Sequence, residues 1–97
     1  MIRHTVSFTL KFPKGSAAEQ DFLNATLVLK NIPGVEQFER LRQTSKKNPF
    51  DFGLSMQFST LQDYEAYNNH PLHTAFVQQH WIPDVKEFLE ADYEVYE

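Results

Sequence analysis

The first residues of the chain alternate between apolar and polar side chains. Between residues 2 and 12, one side of the pattern carries large apolar side chains and a histidine, and the other carries hydroxyl and basic side chains. A period of two is typical of a β-strand with one buried face. The predicted buried face comprises Ile2, His4, Val6, Phe8, Leu10 and Phe12, and the opposite face comprises Arg3, Thr5, Ser7, Thr9 and Lys11.

A helix and an irregular strand are predicted to follow. Ser16, with Glu19 three residues later, has the pattern of a capping box, and apolar residues then share one side up to about Lys30. Residues 31–34, Asn-Ile-Pro-Gly, end this helix. Residues 35–43 carry apolar side chains on both sides, which is typical of a strand at a sheet edge.

The second half of the chain repeats the order strand, helix, strand. Residues 52–59 alternate regularly and predict a third strand. Thr60 is placed to cap a helix that begins at Leu61. Pro71 should interrupt this helix, and a second helical piece follows.

The last part of the chain predicts a short turn and a fourth strand. Pro83 is placed to start a turn that carries Val85 and Phe88, and residues 89–96 then alternate. The predicted core face of this strand comprises Leu89, Ala91, Tyr93 and Val95, and the acidic residues Glu90, Asp92 and Glu94 mark its exposed side.

Together these elements predict a ferredoxin-like α+β fold. Short connections and right-handed crossovers turn the βαββαβ order into an antiparallel four-stranded sheet with the helices on one face. A chain of 97 residues fits one domain with one core, over residues 1–97. The other face of the sheet is rich in small hydroxyl residues, and the pattern leaves open whether it meets water or another sheet.

Composition and charge exclude several classes of protein. The chain has no cysteine, so it has no disulfide, thiolate metal site or cysteine nucleophile. Its net charge is -4 and its basic residues are scattered, except for Lys46 and Lys47, which disfavours nucleic acid as a partner. No apolar run approaches membrane length, so we predict a cytoplasmic location and no membrane partner.

Side chains that move protons are concentrated in residues 67–76, Tyr-Asn-Asn-His-Pro-Leu-His-Thr-Ala-Phe. A neutral imidazole takes a proton at physiological pH and a phenol hydrogen-bonds an enolate oxygen, so a pocket should involve this stretch. His70 and His73 have a spacing that suits a metal, but a third ligand is not evident, and we predict no metal and no cofactor. In an alternative interpretation, His70 bonds the last helical carbonyls before Pro71, and His73 forms a structural hydrogen bond with Tyr67.

Several stretches together resemble the stress-responsive A/B barrel (Dabb) domain family. The most specific is a tyrosine followed, after two residues, by His-Pro-x-His, here residues 67–73. Weaker matches are residues 3–6 (Arg-His-Thr-Val), 32–35 (Ile-Pro-Gly-Val), 52–58 and 92–93 (Asp-Tyr). Family members often carry a glycine at the end of the second strand, and this chain departs from the pattern there with Arg-Leu-Arg-Gln. Loop shape and pocket access at that point are therefore left unpredicted.

The resemblance implies a homodimer in which two sheets pack face to face into a barrel, with a cavity between sheet and helices. One family member, the plant olivetolic acid cyclase, closes a polyketide ring there by an aldol reaction without a cofactor. By this resemblance His73 is a candidate general base, Tyr67 assists it, and His4 lines the pocket. The other candidate ligand contacts are apolar residues that a core would also use, namely Phe22, Leu54, Met56 and Phe76.

Three hypotheses about function remain open from the sequence. The first is a homodimer that binds a small apolar or aromatic metabolite in the cavity without transforming it. The second is a cofactor-independent cyclase, lyase or isomerase with His73 as base and Tyr67 as helper. The third is a structural, stress-protective dimer without a ligand, whose histidines only satisfy internal hydrogen bonds.

Overall fold

The computed structural model describes all 97 residues, and its first half has the predicted elements. Strand β1 spans Ile2–Leu10, and helix α1 spans Ala17–Ala25 and continues as a 3-10 helix over Thr26–Asn31. Strand β2 spans Glu36–Arg42, and strand β3 spans Phe52–Phe58.

The second half contains a helical region with the predicted break before Pro71 and a π-helical turn that was not predicted. Helix α2 spans Leu61–Asn69, helix α3 spans Pro71–Phe76, and a π-helical turn covers Val77–Trp81. One short turn of helix, α4, spans Ile82–Asp84, and strand β4 spans Val85–Tyr93. None of these helices has the length and apolar character needed to cross a bilayer.

The predicted helix caps are confirmed. The Ser16 hydroxyl accepts a hydrogen bond from the backbone N–H of Glu19 at 3.2 Å. The Thr60 hydroxyl accepts one from the backbone N–H of Asp63 at 3.1 Å. Each cap satisfies an N–H that has no partner inside its helix, which fixes where α1 and α2 begin.

The four strands form one antiparallel sheet in the order β2-β3-β1-β4. Strand β2 therefore lies at an edge, as predicted, and a bulge between Glu36 and Glu39 explains its irregular pattern. Gln37, inside the bulge, has a φ of 52°. As a result Phe38 packs against the core, whereas Leu41 is 45% exposed on the opposite face. The ferredoxin-like fold is thus confirmed.

Strand β4 differs from the prediction in its position. It begins at Val85, directly after α4, so that Val85 and Phe88 lie in the strand and not in the turn. It ends at Tyr93, and residues 94–97 lie beyond it.

The facing of strand β4 is the reverse of the prediction. Leu89 and Tyr93, predicted to face the core, are 64% and 57% exposed. Opposed residues of antiparallel strands point to the same face, and β4 is paired so that its acidic residues lie on the helix side. The pairs on that side are His4 with Asp92, Val6 with Glu90, and Phe8 with Phe88. The prediction was wrong because alternation shows which residues share a face but not which face is covered.

The core lies between the sheet and the helices. Phe8 and Phe58, on the central strands, are completely buried. The thirteen buried apolar residues of this cluster are Val6, Phe8, Leu10, Phe22, Leu29, Ile32, Phe52, Leu54, Met56, Phe58, Tyr67, Phe76 and Val85.

Candidate functional site

A cavity of about 540 Å³ lies between the sheet and the helical region of the second half. Its volume is in the range of small-molecule sites, and 11 of its 16 lining residues are hydrophobic. The lining residues are His4, Val6, Leu29, Leu54, Met56, Tyr67, Asn68, His73, Phe76, Val77, Trp81, Ile82, Val85, Lys86, Phe88 and Glu90.

The lining of the cavity includes exposed apolar residues and buried polar ones. Ile82 and Phe88, which line it, are 59% and 52% exposed, so they mark the opening to solvent. His4 and Tyr67 are polar lining residues that are only 7% and 2% exposed, and we call the part of the cavity around them its inner end. A ligand would enter past apolar side chains and meet polar groups at the inner end.

The break between α2 and α3 places their side chains around the cavity. Residue His70 is extended, with φ -71° and ψ 139°, as favoured for a residue before proline. Its Nδ1 accepts a hydrogen bond from the backbone N–H of Leu72 at 3.1 Å. His70 therefore caps the start of α3, whereas we expected it to bond the last carbonyls of α2.

Tyr67 and His73 come together across this break. Their ring centroids are 4.6 Å apart, so the two rings are in contact. The Nδ1 of His73 lies 3.1 Å from the backbone carbonyl oxygen of Asn68, and not at a hydrogen bond to Tyr67. Since a carbonyl only accepts, Nδ1 carries the proton and Nε2 of His73 is left as an acceptor.

The surroundings keep both groups neutral at physiological pH. Burial lowers the pKa of His73, and the nearby His4 lowers it further, against the raising effects of the Asn68 carbonyl and of Glu90. Burial also raises the pKa of the Tyr67 hydroxyl, and the negative charge of Glu90 adds to this shift. The pair is thus a neutral imidazole beside a neutral phenol, which suits proton transfer or hydrogen bonding.

His4 belongs to a second group of polar side chains, the His4–Asp92–Tyr64 network. His4 Nδ1 lies 2.6 Å from Asp92 Oδ1 and 2.9 Å from the Tyr64 hydroxyl oxygen. The Tyr64 hydroxyl donates to Asp92 Oδ2 at 2.8 Å. Burial and the hydrogen bond to Asp92 raise the pKa of Tyr64, so it remains protonated. The network joins β1, β4 and α2 beside the cavity.

Most, but not all, of the predicted site residues meet at the cavity. His4, Tyr67 and His73 line it together with Leu54, Met56 and Phe76. Phe22, a predicted ligand contact, lies in the core instead, with its ring centroid 5.7 Å from that of Phe8 and 5.9 Å from that of Phe76. No three His, Asp or Glu side chains are grouped as metal ligands.

Three polar residues of the site were missed from the sequence. Asp92 and Glu90 were assigned to the exposed side of the last strand, and the reversed facing of β4 brings both to the cavity side. Tyr64 lies three residues before Tyr67 and so shares a helix face with it, a spacing that could have drawn attention to it.

Comparisons with known proteins bear on the family of the chain. The model of the stress responsive A/B barrel domain matches residues 2–95. A search among curated proteins found no match. Among solved structures, a Dabb family protein with a ferredoxin-like fold from Mesorhizobium loti is 48% identical, with a TM-score of 0.96 over 99% of this chain and 97% of that one.

Two structures of lower identity have the same fold. A hydroxynitrile lyase from Passiflora edulis is 16% identical, with a TM-score of 0.84 over 99% of this chain and 94% of that one. A dimeric ferredoxin-like protein of unknown function from Thermobifida fusca is 18% identical, with a TM-score of 0.80 over 97% and 90%. On the family model and the Mesorhizobium loti protein together, this chain belongs to the stress responsive A/B barrel domain family.

Proposed function

We propose that the protein is a homodimer that binds a small apolar or aromatic metabolite in the cavity. The observation that carries this proposal is the cavity of about 540 Å³, whose walls are mainly hydrophobic. A largely apolar cavity with a few convergent polar groups, some with shifted pKa values, is the usual form of a small-molecule site.

The walls favour a flat ring system. Trp81 and Phe88 meet near the mouth in an edge-to-face arrangement with their centroids 5.4 Å apart. Leu54, Met56 and Phe76 offer apolar contacts deeper inside. An aromatic ligand would bury its faces against these side chains, and its polar group would reach Tyr67 and His73.

Native mass spectrometry of the protein as purified tests this function. We expect a dimer that carries additional mass from a retained small molecule.

Binding of a fluorescent probe, 2-naphthol, gives a second test, because a large side chain introduced into the cavity should block it. Val77 lines the cavity, so Val77→Trp should abolish 2-naphthol binding, whereas Gln78→Trp, on an exposed neighbour outside the cavity, should leave it unchanged. Equal binding by both variants would contradict the proposal.

The outer face of the sheet supports the dimer. Leu89 and Tyr93 are 64% and 57% exposed there, and Leu41 is 45% exposed. Leu41 lies opposite Gly53, Gly53 opposite Ser7, and Ser7 opposite Leu89, so the two leucines end one row across the sheet. A second copy packed on this face would remove these side chains from water.

A charge on that face tests the dimer. Leu89→Glu should give a monomer in analytical ultracentrifugation, because a second sheet would bury the carboxylate. Leu61→Glu is the matched control, since Leu61 is 59% exposed in the first turn of α2, where a negative charge is favourable. A Leu89→Glu protein that remains dimeric would place the interface elsewhere.

A second candidate function is proton transfer by His73 without a cofactor. The favouring observation is the Asn68 hydrogen bond, which leaves His73 Nε2 free in a ring whose pKa is lowered. In such a reaction Nε2 takes a proton from the substrate, the Tyr67 hydroxyl hydrogen-bonds the oxygen that gains charge, and the imidazolium then returns the proton.

The similar fold of a hydroxynitrile lyase suggests an assay for this candidate. In mandelonitrile cleavage, the hydroxyl proton would pass to His73, the bond to the nitrile carbon would break, and benzaldehyde and cyanide would form. We expect His73→Ala to slow benzaldehyde release by about 10² to 10⁴ fold if His73 is the base. Equal rates for the wild type and His73→Ala would exclude this role and leave ligand binding as the function.

A further inference from the structure

Two imidazoles lie at the inner end of the cavity, and in each ring one nitrogen already has a partner. His73 Nδ1 donates to the Asn68 carbonyl at 3.1 Å. His4 Nδ1 lies 2.6 Å from a carboxylate oxygen of Asp92. Both rings line the cavity, and the Nε2 atom of His4 makes no hydrogen bond to the protein.

The Tyr64 hydroxyl settles which nitrogen of His4 carries the proton. This hydroxyl uses its proton to donate to Asp92 Oδ2 at 2.8 Å, so only its lone pairs are left for His4 Nδ1, 2.9 Å away. Lone pairs of Tyr64 and Asp92 therefore converge on the same nitrogen. A ring nitrogen placed between two acceptors must carry a hydrogen, so Nδ1 of His4 is the nitrogen that carries one.

We propose that Asp92 and Tyr64 are positioning residues that hold His4 with Nε2 as a second acceptor, so that the inner end of the cavity selects a neutral hydroxylated molecule over a carboxylate. This inference rests on the proposed binding function. It assigns a role to the hydrogen bonds of the His4–Asp92–Tyr64 network, which do not involve His73 or Tyr67.

The chemistry of the inner end matches a hydroxyl group. In the proposed tautomer of His4, both His4 and His73 present a lone pair there, and the neutral Tyr67 hydroxyl can donate or accept. A ligand hydroxyl donates to one imidazole and accepts from the phenol, which satisfies two of the three groups. A carboxylate has no proton to give to either imidazole.

The negative charge of Glu90 also disfavours a ligand carboxylate. Glu90 lines the cavity, and its charge already acts on Tyr67 and His73. A ligand carboxylate at the inner end would meet this negative charge in addition to two lone pairs. Lys86, the one lysine among the lining residues, is exposed on β4 and is not among the charges that act on Tyr67 and His73.

The tautomer of His4 is measured first, on the ligand-free protein. Long-range proton–nitrogen NMR at pH 8 should show the hydrogen on Nδ1 in the wild type. Asp92→Ala should shift the hydrogen toward Nε2, and Tyr64→Phe should do so partly. Tyr96→Phe is the control, because Tyr96 is 97% exposed. A hydrogen already on Nε2 in the wild type, or no change in Asp92→Ala, would overturn the positioning role.

The selectivity is measured with three probes that share one ring system: 2-naphthol, naphthalene and 2-naphthoate. We expect 2-naphthol to bind about tenfold more tightly than naphthalene, as for one good hydrogen bond, and 2-naphthoate to bind most weakly. Asp92→Ala should reduce the advantage of 2-naphthol, and Tyr96→Phe should preserve it. Stronger binding of 2-naphthoate than of 2-naphthol, or an unchanged preference in Asp92→Ala, would refute the selectivity.

The two measurements separate the inference from the function on which it rests. If no probe binds, the binding function and the selectivity both fail, whereas the tautomer of His4 is still decided by NMR. If the probes bind without preference for 2-naphthol, the binding function stands and the selectivity fails.

Discussion

The two βαβ halves of the fold use their helical segments in different ways. In the first half, α1 runs directly into the 3-10 helix, and of these two segments only Leu29 lines the cavity. In the second half, the helical region is broken at His70 and contains a π-helical turn over Val77–Trp81. It supplies seven of the 16 lining residues, namely Tyr67, Asn68, His73, Phe76, Val77, Trp81 and Ile82.

The difference shows how a helix break creates a site. The carbonyl of Asn68 lies in the last turn of α2, where carbonyls have no partner within the helix. His73, in the next helix, donates to that carbonyl and is thereby oriented with its other nitrogen free. A continuous helix would bond this carbonyl internally, so the break provides both the space and the orientation.

Truncation of one phenylalanine from each half gives the largest expected effects. Phe22→Ala and Phe76→Ala should each destabilise the fold by about 3 to 5 kcal/mol, because both side chains are almost fully buried. Urea unfolding measures this cost. Only Phe76→Ala should also weaken 2-naphthol binding, since Phe76 lines the cavity and Phe22 does not. Equal binding losses in the two variants would erase the contrast between the halves.

Removal of the cap at the break gives the next effect. His70→Ala should cost about 1 kcal/mol, because the N–H of Leu72 loses its acceptor at the start of α3. His70→Asn, which restores an N-cap acceptor, should recover most of the loss in the same thermal or urea unfolding experiment. If His70→Ala leaves the free energy of unfolding unchanged, Pro71 alone maintains the break.

Loss of His73 should affect function much more than stability. We expect His73→Ala to remain folded and dimeric with a cost of about 1 kcal/mol or less, because Asn68 is exposed and water can replace the lost donor. Ultracentrifugation and urea unfolding of this variant are the checks. A collapsed or monomeric protein would favour the structural, stress-protective hypothesis instead.

The smallest expected effect is a pH dependence that comes from the second half. The groups facing His73 are Tyr67, His4, Glu90 and the Asn68 carbonyl, and burial is the main cause of its lowered pKa. In the window between the folded-state pKa and 6.5, the unfolded chain binds more protons than the folded protein. The contribution of His73 to the free energy of unfolding is therefore fully present above pH 6.5 and decreases as the pH falls through this window.

Urea unfolding at several pH values should detect this dependence, and proton NMR should find the midpoint of His73 below 6.5. His73→Ala should have a flatter profile between the same pH values. An unchanged profile in the variant would assign the pH dependence to other groups.

Local patterns predicted the elements of this fold, but not the facing of the last strand. Ser16 and Thr60 cap the helices as predicted because a cap depends on a few adjacent residues. Strand β4 has apolar residues on both faces, since Phe88 points to the cavity side while Leu89 points outward. The choice between them is made by the pairing of β4 with β1, which sequence periodicity does not contain.

The candidate site was predictable to the extent that its residues share a local motif. Tyr67 and His73 lie in one short stretch, and the structure places their rings in contact. Asp92 was misplaced because it reaches His4 through a pairing across 88 positions of the chain. Phe22 was misplaced because a helical phenylalanine has the same pattern whether it faces a core or a cavity.

The sheet order also has a consequence for folding kinetics. Strands β1 and β4 are neighbours in the sheet although they are the first and last strands of the sequence. Their pairing closes a loop of nearly the whole domain, and such non-local contacts slow folding relative to helical bundles of similar size. During synthesis, the hydrogen bond between His4 and Asp92 can form only after the last strand has left the ribosome. The inner end of the cavity is therefore among the last parts of the protein to be assembled.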